Sequence, residues 1–124
     1  MSNTISIKTM TTYTMPIEAI ENIICDAGMM IGYWATEAVV DGTNQTYKIT
    51  EEEAHDGEGS RDFTLTYTDI VRAMMKLATG EVAVRSDIRE QISNAFIDYD
   101  LSDIDGEGAD VIVQVACFGD VIYG

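Results

Sequence analysis

The segment "ADVIVQVACF", from Ala109 to Phe118, constrains the fold of this chain more than any other. It is apolar on nearly every side of a helix, and a helix of that kind has to be buried. Two polar residues, Asp110 and Gln114, interrupt it four positions apart, so they share one stripe. A buried amide without a hydrogen-bond partner costs about 1–3 kcal/mol. Both side chains must therefore bond neighbouring backbone, which we favour, or line a shallow pocket.

Length and composition indicate one domain, residues 1–124, with an ordinary apolar fraction of 46%. A chain of this size buries about two-thirds of its unfolded surface and needs no disulfide or metal staple. No segment approaches the ~20 apolar residues of a membrane span, and the N-terminus lacks the pattern of a signal peptide. Cys25 and Cys117 both lie in apolar helical patterns, which predicts buried free thiols and a reducing cytoplasm.

The hydrophobic periodicity predicts an α+β fold, in which a small antiparallel sheet is covered by about four helices. The sheet is expected to contain a hairpin over about residues 33–50 that turns at "DGTN". Residues 1–15 are expected to form an edge strand or a loose arm. The predicted helices span about residues 16–28, 68–79, 86–98 and 108–118.

Local signals refine these boundaries. Pro16 is expected at the first helical position and Thr68 as an N-cap. The acidic segment "EEEAHDGEGSRD", residues 51–62, has no large apolar residue and is predicted to be a mobile loop. Period-two alternation predicts one shared strand face for Trp34, Thr36, Ala38 and Val40, and another for Tyr47 and Ile49.

The charge excludes some classes of partner. Twenty-two acids against seven bases give a formal net charge of -15, so a nucleic-acid-binding surface and an anionic membrane are both disfavoured. An acidic surface favours a basic partner protein through electrostatic steering, although it also serves solubility or life in high salt.

The acids fall in two runs, Glu51–Asp62 and Asp98–Asp110, which would form one negative face if the fold joined them. A DNA mimic would use such a face, and the candidate binding acids are Asp98, Asp100, Asp103 and Asp105.

No catalytic constellation stands out, and we expect neither an enzyme nor a cofactor or bound metal. The segment "DIDGEGADVIVQ" begins like an EF-hand calcium loop, but Gln114 stands where the closing bidentate carboxylate belongs. His55 is the only histidine, and its acidic surroundings indicate a solvated side chain rather than a metal site. The cluster Met29, Met30, Tyr33 and Trp34 could face a partner, although paired methionines are more often adaptable core.

Two separated motifs carry a resemblance. "GMMIGYWATEAVV" follows the first predicted helix, and the chain ends "ADVIVQVACFGDVIYG". Together they resemble a family of small uncharacterised phage-encoded proteins, with a Gly-Tyr-Trp-Ala hairpin start and an Ala-Asp-x-x-x-Gln…Phe-Gly…Tyr-Gly C-terminus. The resemblance covers about residues 16–124. The matching positions are Gly32, Tyr33, Trp34, Ala35, Ala109, Asp110, Gln114, Phe118, Gly119, Tyr123 and Gly124.

The resemblance implies a phage origin and expression in the cytoplasm of an infected host cell, outside the virion, and it implies no mechanism. We therefore expect a phage accessory protein that acts by binding, in host takeover or counter-defence, with an acidic face on a basic host protein. The alternative is a small-molecule or nucleotide-signal sponge that uses Tyr33, Trp34, Asp110 and Gln114. A sponge needs a nearby base, for which the candidates are Arg72, Arg85 and Arg89. Nothing in the sequence indicates an oligomeric state.

Overall fold

The computed structural model describes residues 4–8, 12–53, 57, 59–98 and 104–124. Of the expected binding residues, Asp100 and Asp103 lie outside these ranges, as does His55 in the acidic segment.

The fold is α+β, as the periodicity predicted, and the described residues form two small antiparallel sheets and four helices. A short 3-10 turn, Ile31–Tyr33, follows the first helix. The strands are β1 (Thr4–Lys8), β2 (Thr12–Pro16), β3 (Ala35–Asp41), β4 (Thr46–Glu51) and β5 (Arg61–Thr66). The helices are α1 (Ile17–Met30), α2 (Tyr67–Ala78), α3 (Ser86–Asp98) and α4 (Gly106–Phe118).

The first sheet replaces the single edge strand or arm expected over residues 1–15. Strands β1 and β2 pair antiparallel, with Thr4 opposite Pro16 and Lys8 opposite Thr12. Ile5 and Ile7 of β1 pack at the margin of the core. Pro16 ends β2 and is the N-cap of α1, one position before the helix. Its φ of -60° and ψ of 142° are extended, so the ring serves the strand rather than the first helical turn.

The second sheet has the order β3-β4-β5, antiparallel throughout. Tyr47 and Ile49 of β4 are buried, at 1% exposed each, which confirms that alternation in this strand. The same period extends to Glu51, which is fully buried. The prediction of a mobile loop over residues 51–62 is therefore wrong at both of its boundaries, because β4 includes Glu51 and β5 begins at Arg61.

Strand β3 does not have the packed face that was expected of Trp34, Thr36, Ala38 and Val40. Trp34 precedes the strand, Ala35 is buried, and every later residue is exposed. A register shift between Ala35 and Glu37 also breaks the alternation. The physical reason is position: β3 is an edge strand, whereas α2 and α4 pack beside β5 at the opposite edge.

Helix α2 begins earlier than predicted, and Thr66 rather than Thr68 is its N-cap. The Thr66 hydroxyl accepts from the Asp69 backbone N–H at 3.1 Å, and the Asp69 carboxylate accepts from the Thr66 N–H at 2.8 Å. This is a capping box, which needs an acidic or amide residue three positions after the cap. Thr68 has Val71 at that position, so it cannot form one.

Helix α4 is the centre of the molecule, and its burial confirms the opening prediction. All eight residues from Gly108 to Val115 are buried, and the helix packs against α1, α2 and α3. Its N-cap is Asp105, whose carboxylate accepts from the Gly108 N–H at 2.9 Å. Its end is set by Gly119, whose φ of 80° is left-handed.

The two cysteines are free, but only one is shielded. Cys25 is exposed, contrary to expectation, because α1 turns the stripe of Ile24 and Ala27 inward and position 25 falls outside it. Cys117 is largely buried in α4, and burial, with a smaller contribution from Glu51, raises the pKa of its thiol to about 12. Among the described helices, none is long and apolar enough to cross a membrane.

Candidate functional site

The structure brings Tyr33, Trp34, Asp110 and Gln114 together, although 76 positions separate Trp34 from Asp110. Helix α4 presents Asp110 and Gln114 one turn apart, and the 3-10 turn after α1 delivers the two aromatic residues to them. We call these four residues, with Tyr123, the polar network.

Asp110 is the acceptor at the centre of the polar network. Its Oδ1 accepts from the Trp34 indole N–H at 3.0 Å and from the Gln114 amide at 3.0 Å. Its Oδ2 accepts from the Tyr33 hydroxyl at 2.5 Å. Burial, and then the bond to the Asp110 carboxylate, raise the pKa of Tyr33 well above its ordinary value. Tyr33 therefore stays a neutral donor at physiological pH.

Gln114 fastens the last residues of the chain to α4. Its Oε1 accepts from the backbone N–H groups of Ile122 at 2.9 Å and Tyr123 at 2.8 Å. Its Nε2 donates to the Tyr123 carbonyl at 3.1 Å. The side chain is fully buried, so these bonds satisfy an amide that would otherwise be costly to bury. Gln114 thus bonds neighbouring backbone, as favoured, whereas Asp110 bonds side chains and lines a groove.

Tyr123 and Glu51 belong with these residues, and neither was among the predicted site residues. The Tyr123 ring stacks on Trp34, with centroids 5.6 Å apart and planes 5° apart. Its hydroxyl donates to the buried Glu51 carboxylate. Phe118 also packs against Trp34, and the centroids of these two rings are 5.4 Å apart. The sequence did carry a signal for Glu51, which continues the period-two series of Tyr47 and Ile49.

The buried members of the polar network are not available to a ligand. Trp34 is 2% exposed and Gln114 is fully buried, and the polar atoms of both are bonded internally. Tyr33 differs, because this residue is 55% exposed. A ligand can therefore contact the rim of the network but not the tryptophan or the glutamine that the sponge alternative needs.

A groove of about 330 Å³ lies beside this rim. Apolar side chains from three segments line it: Val84 and Ile88, Val111 of α4, and Val121 of the C-terminal residues. Tyr33, Tyr123, Arg85, Glu107 and Asp110 supply its aromatic and charged lining. A groove of this volume is at the small end of the range for small-molecule pockets and suits one side chain of a partner.

Arg85, the base that lines the groove, is already engaged. Its guanidinium lies 3.1 Å from Asp87 and 2.8 Å from Glu107. The bond to Arg85 in turn holds the pKa of the Asp87 carboxyl below its usual range. Of the charged side chains that line the groove, two are carboxylates, Glu107 and Asp110, and one is a guanidinium, Arg85. The groove therefore favours a cation over a phosphate.

Of the candidate binding acids, Asp105 caps α4 through its side chain, and Asp98 is the last residue of α3. Glu51 and Asp110 are buried and bonded within the molecule, so neither can imitate a free phosphate. Asp62, Asp105 and Glu107 also have bonding partners within the molecule.

Within the described ranges, no group of three His, Cys, Asp or Glu side chains is placed to hold a metal ion. Asp105 and Gln114, which fall in the calcium-loop pattern, are an N-cap and a member of the polar network.

Comparisons with protein-family models, with curated proteins and with solved structures find no match for this chain.

Proposed function

We propose that this protein is a phage accessory protein that binds a basic surface of a host protein, in host takeover or counter-defence, and that the groove beside the polar network is a main contact. The observation that carries the proposal is the groove's lining, which combines exposed aromatic surface, apolar walls and two carboxylates with a single guanidinium.

A lysine or arginine side chain of the partner suits this lining. Its aliphatic stem would lie along Val111 and Val121, since long basic side chains bury their methylenes on apolar surface. Its charged head would lie near Glu107 and the Tyr33 ring, which attracts a cation through its π face. The net charge of -15 would steer such a partner toward the protein from a distance.

An exposed apolar patch continues from the groove. Met29 is 79% exposed and Met30 is 44% exposed, and both adjoin the turn that holds Tyr33. The Met30 side chain packs over Gly106, next to Glu107 at the groove. Exposed methionine and tyrosine beside a groove are the residues that protein interfaces favour. Of the four residues in the cluster that could face a partner, Met29, Met30 and Tyr33 are exposed, whereas Trp34 is buried.

Neither the DNA-mimic version nor the sponge alternative has comparable support. The bonded acids of the two runs include the buried Glu51 and Asp110, which cannot form part of a surface row. An anionic nucleotide would meet Glu107 and Asp110 with an already paired Arg85. We therefore assign the acidity to recognition of basic side chains.

The test begins with a pull-down from bacterial lysate and continues with titration of the purified captured protein. Glu107→Lys reverses a charge at the groove, and Ala83→Trp places a large ring at its exposed margin. Glu90→Lys makes the same charge change at an exposed site on α3. Circular dichroism establishes that each variant is folded.

We expect Glu107→Lys and Ala83→Trp each to weaken binding by about tenfold or more, which corresponds to ~1.4 kcal/mol. Glu90→Lys should change it far less. Affinity should also fall between low and high salt, because exposed charge pairs are screened. An affinity that neither salt nor the two groove variants alter would contradict the proposal.

A further inference from the structure

Among the described residues, no strand covers the outer edge of β3. Strand β4 pairs with one side of β3, and no other described strand pairs with its second side. The residues from Thr36 to Asp41 are all exposed, including Val39 at 54% and Val40 at 44%. These two valines point to opposite faces of the sheet, so the strand is apolar and accessible on both faces as well as along its edge.

An open edge presents unpaired backbone groups that can pair with another chain, and proteins guard such edges with bulges and charges. Both devices are present here. The register shift between Ala35 and Glu37 leaves Thr36 as an extra residue. Beyond it runs a regular five-residue segment, Glu37–Asp41, with an acid at each end. We call this segment the acidic edge.

The acidic edge disfavours a second copy of this chain. Antiparallel pairing of two β3 strands about Val39 would place Glu37 of each copy opposite Asp41 of the other. Like charges directly opposite each other on neighbouring strands are destabilising. Two chains of net charge -15 would also repel each other before contact.

We propose that the acidic edge binds an extended basic segment of a partner protein, which adds to the second sheet as a further strand. The segment would carry Lys or Arg opposite Glu37 and Asp41 and apolar residues opposite Ala38 and Val40. Because the acidic edge has an acid at each end, the pattern suits either strand direction. Main-chain bonds give such an interaction its affinity, and the alternating side chains give its specificity.

The outer face of the sheet has room for this strand's side chains. A shallow depression of about 290 Å³ lies over Glu37, Val39, Lys48 and Thr50 and reaches Asp62 of β5. Glu37, Val39 and Asp41 share this face by period two. The charged residue next to Val39 is Lys48, directly opposite it on β4, which favours a small polar residue at the centre of the added segment.

This inference rests on the proposed function for the sign of the partner's charge, but it concerns a different surface from the groove. The probe is a peptide with blocked ends, Gly-Lys-Val-Thr-Val-Lys-Gly, titrated into the full chain and followed by amide chemical shifts. Two further versions carry backbone N-methyl groups, one on both lysines and the threonine, the other on both valines. An added strand donates through alternate residues only, so one methylated peptide should bind and the other should not.

Charge reversal locates the site. Asp41 also accepts from the backbone N–H groups of Thr43 and Asn44 at the hairpin turn, so amide shifts of residues 42–50 must first show that the hairpin of Glu37→Lys with Asp41→Lys is intact. This variant should then weaken binding of the basic peptide by about tenfold, since two attractive cross-strand pairs become repulsive. It should create binding of the Gly-Glu-Val-Thr-Val-Glu-Gly peptide. The matched control, Glu81→Lys with Glu90→Lys, makes the same change of net charge at exposed sites outside β3 and should leave both results as in the native chain.

Each outcome is decisive. Strand addition would be overturned if the two methylated peptides bound equally well. It would also be overturned if Glu81→Lys with Glu90→Lys weakened peptide binding as much as the β3 variant does. Neither result would affect the groove proposal, which Glu107→Lys and Ala83→Trp test. Sedimentation showing a native dimer that Glu37→Lys with Asp41→Lys disrupts would also overturn it, because a second copy would then occupy the edge. Shift changes concentrated in residues 36–41, with selective loss on one methylation pattern, would support it.

Discussion

The Trp34 indole N–H donates to the Asp110 carboxylate at 3.0 Å inside the molecule, where Trp34 is 2% exposed and Asp110 is 7% exposed. The same carboxylate accepts from Tyr33 and Gln114. One acid on α4 thus holds together the turn after α1 and, through Gln114, the C-terminal residues.

Asp110→Asn should therefore destabilise the fold. The amide nitrogen would face donors that now meet an oxygen, and a buried donor left unsatisfied costs about 1–3 kcal/mol. Urea unfolding measures the loss. Trp34, the only tryptophan, should emit at a wavelength typical of a buried ring in the native chain and shift toward red in the variant. Glu90→Gln, an exposed control on α3, should alter neither property.

Stability should decline at alkaline pH. The folded state raises the pKa of the Cys117 thiol from 9.0 to about 12, and that of Tyr47 from 10.0 to about 12, mainly by burial. The pKa of Tyr33 is raised as well. Below pH 9 the folded and unfolded states both keep these protons, so the folded state has its full stability. Above it the unfolded chain releases protons that the folded chain retains, and stability falls toward pH 12.

Urea midpoints between pH 7 and pH 11 check this dependence. Cys117→Ala should make the decline begin at a higher pH, and Tyr33→Phe should make it shallower above pH 10. A midpoint that is constant over the whole range would contradict the assignment.

Tyr47→Phe should leave the fold as stable or make it more stable. The Tyr47 ring is almost completely buried, and its hydroxyl has no hydrogen-bond partner among the described residues. A buried polar group without a partner costs about 1–3 kcal/mol, and phenylalanine keeps the shape of the ring. A clear loss of stability in thermal unfolding would show that the hydroxyl is bonded.

Two glycines make a matched pair of substitutions. Gly119→Ala should cost about 1 kcal/mol, because Gly119 ends α4 at a φ of 80° where an L side chain is strained. Gly32→Ala should be neutral or slightly stabilising, because an added Cβ there meets no atom within 4 Å and the φ is ordinary. Equal effects of the two substitutions on the unfolding midpoint would refute this difference.

The sequence predicts those helices and strands whose burial follows from the local order of apolar and polar residues. The buried α4 follows from a ten-residue segment in which eight residues are apolar, and the inward face of β4 follows from Tyr47 and Ile49. The exposed β3 could not be predicted this way, because Ala38, Val39 and Val40 read as a packed strand until its place at the sheet edge is known. Position within a sheet is a property of the tertiary structure, and it overrides strand propensity.

The same distinction holds for the candidate site. Asp110 and Gln114 were predicted because two polar residues interrupt an apolar helix, and Tyr33 and Trp34 because they lie in a resembling motif. The groove could not be predicted, because its lining comes from segments far apart in the chain, from Tyr33 to Gly124. The acidic neighbours of Glu51 favour a loop, although its period-two register with Tyr47 and Ile49 indicates burial.

The distance along the chain between Trp34 and Asp110 has a consequence for folding kinetics. Closing a loop of 76 residues costs entropy before the contact stabilises anything, so the polar network should form after α2, α3 and the β3-β4 hairpin, whose contacts are local. In stopped-flow experiments Asp110→Asn should then accelerate unfolding and leave the refolding rate nearly unchanged. The polar network would thus set how long the native protein persists rather than how quickly it appears.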